Sequence, residues 1–163
     1  MKTIEFYLNI VHFYFFKSFN KFNLYYKKIS PSRLIFKIPA IKNKAEKENI
    51  NLNQIVDTVL NNKNFGLSIT FAGGFLFGLL FIFFFGILGI FRKIYTTTIL
   101  EKIHFIVIGV LSAIICYIFI FNKNRYLKYF ETFEKWTKEE KRNYSWLTFA
   151  VIIIILLFWF LSF

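Results

Sequence analysis

The chain is poor in the residues from which most reactive sites are built. It has one cysteine, Cys116, so no intramolecular disulfide can form, and two histidines, His12 and His104, far apart in sequence. Neither histidine is followed three or four residues on by a second His, Cys or carboxylate, as a helix-borne metal pair starting from it would need. Motif patterns are missing too: no GxSxG, no HExxH and no CxxC occurs. Gly73-Gly74 lies in an apolar run without a lysine, so it is no phosphate cradle, which requires GxxxxGK[ST] after a strand. Enzymatic catalysis is therefore not expected, nor is a cofactor or a bound metal. Small residues before a cleavage point are also lacking ahead of Lys17, so a cleaved signal peptide is not expected.

Charge is scarce where the chain is most apolar. Hydrophobic residues make up 56% of the sequence, above the roughly 45–50% of soluble proteins, and they are concentrated in three windows. Leu67 to Phe91 has no charged residue, and its 25 residues would make about 37 Å of helix. Ile103 to Phe121 and Ser145 to Phe163 have 19 residues each, with His104 the one ionisable imidazole. A bilayer core about 30 Å thick is crossed by roughly 17–25 apolar residues. Helices apolar on every face would otherwise need far more covering chain than this protein has. The expected fold class is all-α and integral to a membrane, with three transmembrane helices and an amphipathic N-terminal helix. Two regions follow: a basic cytoplasmic or interfacial region over 1–66 and a transmembrane domain over 67–163.

Orientation is read from the flanks. Residues 1–66 carry 11 Lys/Arg and 4 Asp/Glu, residues 92–102 carry 3 and 1, and residues 122–144 carry 7 and 4. Placing the N-terminus and the 122–144 segment in the cytoplasm keeps most of the basic residues inside, as the positive-inside rule requires. The C-terminus is then expected on the far side.

Between Thr3 and Ile29 the polar residues Glu5, Asn9, His12, Asn20, Asn23 and Lys27 recur at helical spacing among many aromatics. The pattern predicts a helix lying in the membrane interface, with Lys17, Lys21, Lys27 and Lys28 meeting lipid headgroups; a spanning helix is the competing reading. His12 is expected to be solvated at that interface, and His104 to be an interfacial side chain. Ser30-Pro31 should break the helix. Arg33 to Ile41 reads as irregular and "KNKAEKEN" as a solvated linker. A short helix from Leu52, capped by Asn51, follows. The strong basic balance points to anionic lipid rather than nucleic acid, for which no motif is present.

Inside the membrane, close backbone approach replaces the hydrophobic drive to associate. Gly74 and Gly78 form a GxxxG, with Gly86 and Gly89 near the same side. Gly109, Ser112, Ala113 and Cys116 form a small-residue stripe on the second span. The two stripes are expected to face each other within the chain, a homo-oligomer through the glycines being the alternative. The third span, with few small residues, is expected to pack more loosely.

The charged passage "ETFEKWTKEEKRNYSW" reads as helix surface. Tyr126, Tyr129, Phe130, Phe133 and Trp136 share one face, while Glu131, Glu134, Lys135 and Lys138 lie away from it. Thr137 with Glu140 three residues on forms a capping box. It predicts a cytoplasmic turn at Trp136–Thr137 that sends the chain back as a hairpin. A helix flat on the bilayer, broken at Asn122–Asn124 and near Asn143, is the other reading.

The segment "NKNRYLKYFETFEKWTKEEKRNYSW", with the bulky span that ends in "LSF", resembles small integral-membrane proteins of Bacteroidota over about a quarter of the chain. The resemblance implies a bacterial inner (plasma) membrane protein and carries no activity with it. The expected function is a non-enzymatic accessory or interaction role, meeting anionic lipid and a membrane-protein partner or a second copy of the chain. An immunity or exclusion protein against a toxin or phage, and a holin-like oligomeric pore, are the alternatives.

Overall fold

A computed structural model describes residues 2–29, 38–48, 50–95 and 101–163, without the side chains of residues 2, 26–29, 46 and 53. Among the described residues there is no strand, and every element is helical. Helix α1 spans Lys2–Ile29, α2 Pro39–Lys47, α3 Leu52–Asn61, α4 Leu67–Ile94 and α5 Lys102–Cys116. A π-helical segment, Tyr117–Phe121, and a 3-10 turn, Asn122–Asn124, then lead into α6, Arg125–Glu134, and α7, Lys138–Ser162.

Three stretches are long and apolar enough to cross a membrane: Leu67–Ile94, Lys102–Glu134 and Lys138–Ser162. They coincide with the three windows read from the sequence. The first ends in Arg92 and Lys93, cations that suit the negative end of a helix dipole.

The chain forms two compact units, Met1–Tyr14 with Gly73–Phe163, and Phe15–Ala72. In the first, the start of α1 packs on α6. Phe6 makes edge contacts with Tyr129, Phe133, Trp136 and Tyr144, and Phe13 does the same with Phe130 and Phe133. Tyr126, Phe130 and Phe133 are buried, so the aromatic face expected of α6 is the face it buries. Elsewhere in this unit α4 meets α7 and α5 through ring contacts, with Phe85 centred 4.8 Å from Phe163 and 5.2 Å from Phe105.

The second unit is held by amide side chains. Asn23 Nδ2 donates to Ser68 Oγ at 2.8 Å, and Ser68 is fully buried. Phe19 stacks on Phe71 at 5.6 Å. Asn51 caps α3 as expected, its Oδ1 accepting from Gln54 N–H at 3.2 Å. The expected linker and the expected irregular stretch are corrected in part: Lys42 to Lys47 of the first and Pro39 to Ile41 of the second are helical and belong to α2. Pro39 opens that helix, where its missing N–H costs nothing, and Lys, Ala and Glu are good helix formers. Buried Ala45 gives the helix an inner side. The Ser30-Pro31 break and residues 33–37 lie outside the described residues.

Candidate functional site

The most chemically loaded place in the molecule is where the polar stripe of α1 meets the broken helix between α5 and α6. The break comes first. Lys123 and Asn124 both take the left-handed conformation, with φ of 56° and 52°, and no glycine relieves them. For a side chain such as Lys this costs roughly 1–2 kcal/mol, whereas Asn tolerates it better. In the preceding π-helical segment the ladder reaches to the fifth residue, Asn122 N–H donating to Tyr117 O.

Asn9 reaches this segment from another helix. Its Nδ2 donates to Glu5 O at 2.8 Å, one turn back in α1, and to Phe119 O at 3.1 Å inside the π-helical segment. Asn9 is fully buried, and its Oδ1 has no hydrogen-bond partner. Three residues on, His12 is fully buried as well. Its ring is centred 5.7 Å from Phe121, 5.6 Å from Tyr126 and 5.3 Å from Phe130. This corrects the expectation of a solvated histidine: the face of α1 that carries Asn9 and His12 is covered by protein, not by water or headgroups. The spacing of Glu5, Asn9 and His12 marks a polar stripe, and a polar stripe reads equally as solvent-facing or as paired inside a bundle.

At the edge of the seam Glu5 Oε1 lies 3.4 Å from Arg125 Nη1, with Glu5 14% and Arg125 41% exposed and the Tyr129 hydroxyl beside Glu5. At the other end the Tyr14 hydroxyl donates to the backbone oxygen of Lys141, and burial lifts its phenol above the ordinary range. These contacts tie α1 to the break, to α6 and to the start of α7. Among the described residues no three His, Cys, Asp or Glu side chains come together as a metal site.

The turn at Trp136–Thr137 has the expected chemistry. Thr137 N–H donates to Glu140 Oε2 at 2.8 Å, and Glu140 N–H donates to Thr137 Oγ1 at 3.2 Å. Trp136 stacks on Tyr144 at 4.3 Å across it, and Lys141 Nζ donates to Glu134 O at 2.8 Å. The break at Asn122–Asn124, the other expectation, is present too. Helix α6 is thus a ten-residue piece with an interruption at each end.

The glycines divide. A Cβ on Gly74 or Gly78 would meet no atom of the described residues within 4 Å, so among them the GxxxG notch is left open. A Cβ on Gly86 would stand 2.8 Å from a ring carbon of Phe158 and 3.3 Å from the Cα of Trp159; on Gly89 it would stand 2.8 Å from the Ser162 carbonyl oxygen. These two glycines therefore meet the third span, α7, rather than the small-residue stripe of α5. On α5, Ser112 and Cys116 are buried, Ala113 is exposed, and a Cβ on Gly109 would stand 3.9 Å from the Phe81 ring. The residue missed by pattern is Gly73, where a Cβ would stand 2.7 Å from the Phe121 ring. Of the lysines expected at headgroups, Lys21 is exposed and Lys17 half-buried, while the side chains of Lys27 and Lys28 lie outside those described. His104 is half-buried, its Nδ1 accepting from Glu101 N–H at 3.1 Å.

Comparison of the chain with protein-family models, curated proteins and solved structures finds no match.

Proposed function

We propose that this protein is a non-enzymatic integral membrane protein of the bacterial inner membrane. Its termini lie on opposite sides, the N-terminus in the cytoplasm, and it serves as an accessory that binds anionic lipid and one further membrane helix. The observation that carries the reading is how little of each span the protomer covers. In the most apolar window of each, only 22%, 22% and 11% is buried. Helices apolar on their outer faces need hydrocarbon or another protein around them.

The open notch at Gly74–Gly78 supports the partner. Small residues spaced by four let two helix backbones approach closely, and none of the described residues fills this pair. The partner helix is either that of another membrane protein or that of a second copy. The buried seam of Glu5, Asn9 and His12 supports a fixed arrangement of α1 against the broken helix rather than a reactive centre. The Asn9 amide, donating to Glu5 O and Phe119 O, and the Glu5–Arg125 contact support that role.

The test uses full-length protein in lipid nanodiscs and in pull-downs from solubilised membranes. Gly78→Leu should leave the thermal midpoint within a degree or two and reduce the self-associated or partner-bound fraction several-fold. Unchanged association in that variant would remove the notch from the interaction. Depolarisation of cells on overexpression would favour the pore instead, and rescue from a toxin the immunity role.

A further inference from the structure

One groove in the transmembrane unit has a polar end. It lies between α4 and α5, has a volume of about 410 Å³, and is lined by Phe84, Leu88 and Phe91 on one side and His104, Val107 and Leu111 on the other, among other residues. From Phe84 to Phe91 is seven residues, so the groove runs for roughly 10 Å along the helix axes. Every lining side chain except His104 is apolar. The groove is of ligand size and has one placed polar group.

The protonation of His104 follows from its backbone contact. Because Glu101 N–H donates to Nδ1, that nitrogen is the acceptor and the proton of the neutral ring sits on Nε2. The residues flanking this end are basic: Arg92 follows Phe91, and Lys102 precedes Ile103. Lys93 is turned to the third span, its Nζ donating to Leu161 O at 2.7 Å. With Glu101 as the one carboxylate, the 92–102 stretch keeps a net positive charge. An apolar slot with an N–H donor and cations at one end matches an amphiphile with a long chain and an anionic head.

We propose that this groove holds one acyl chain of an anionic phospholipid, with the lipid phosphate accepting from His104 Nε2–H between Arg92 and Lys102. The proposal rests on the membrane reading above, and it adds a defined lipid site to that reading.

The test uses the full chain in phosphatidylcholine nanodiscs with trace phosphatidylglycerol or phosphatidylcholine that carries a photoreactive group in mid-chain. Adducts from the anionic probe should concentrate on Leu88, Val107 and Leu111. They should exceed those from the zwitterionic probe by about fivefold, the worth of one nearby cation, because both lipids carry the phosphate that meets His104 and only the anionic one keeps a net charge for Arg92 and Lys102. The double variant Arg92→Gln, Lys102→Gln should abolish that preference, while His104→Leu should lower groove labelling by both probes and His104→Gln, which keeps an N–H donor, should retain most of it. Labelling spread evenly over outward residues such as Val110 and Leu157 would overturn the groove, as would equal labelling by both probes or unchanged groove labelling in His104→Leu. Release of the chain from membranes by alkaline washing would overturn the membrane reading and the groove together. Retention with even labelling would overturn the groove alone.

Discussion

Asn9 does more for this fold than its place in an amphipathic pattern implies. It closes a hydrogen bond to the carbonyl of Phe119, more than a hundred residues away, where the helix widens and then breaks. Replacing it with leucine would leave that carbonyl buried without its donor, a loss of about 1–3 kcal/mol. In mild detergent the thermal unfolding midpoint of Asn9→Leu should fall by several degrees, whereas Asn20→Leu on the other half of α1 should shift it less. Equal shifts would mean that the Asn9 contact carries no special weight. The sequence marks Asn9 and His12 by spacing alone. It does not say that their side of α1 is covered, because the residues that cover it, Phe119, Phe121, Tyr126 and Phe130, lie more than a hundred residues further along the chain.

At the scale of elements, caps and breaks are the most legible features. Thr137 and Glu140 sit three apart at the end of an aromatic face, and the reciprocal hydrogen bonds form as that pattern demands. Thr137→Ala should lower stability by about 1 kcal/mol, while Thr137→Ser, which retains the oxygen, should cost a few tenths. Thermal midpoints of the two variants against the parent check this, and indistinguishable variants would mean that the cap contributes nothing. Less legible is α2, where charge reads as linker although Lys, Ala and Glu favour helix. The π-helical segment leaves no trace in pattern, since "YIFIF" is as apolar as any stretch of regular span.

Glycine placement separates element from molecule. Apolar periodicity shows that Gly74, Gly78, Gly86 and Gly89 lie near one side, but not which neighbour each one meets. The structure gives Gly86 and Gly89 to α7 and leaves Gly74 and Gly78 open. Gly86→Leu should therefore lower the unfolding midpoint sharply, because its added atoms would enter the Phe158 ring and the Trp159 backbone. The same substitution at Gly78 should not do so. A Gly78→Leu variant as unstable as Gly86→Leu would contradict this division.

At the scale of the whole molecule, the described residues hold three helices long and apolar enough to cross a membrane, with little covering chain, and composition and run length alone make that much visible. On the proposed function, three crossings would put the two termini on opposite sides, and the positive-inside rule would put the N-terminus in the cytoplasm. The most direct measurement is a pair of reporter fusions, each made once at the N-terminus and once after Phe163: a phosphatase active only outside the cytoplasm and a fluorescent protein that matures only inside. The account predicts fluorescence at the N-terminus and phosphatase activity after Phe163. Cytoplasmic signals from both ends, or periplasmic signals from both, would contradict it.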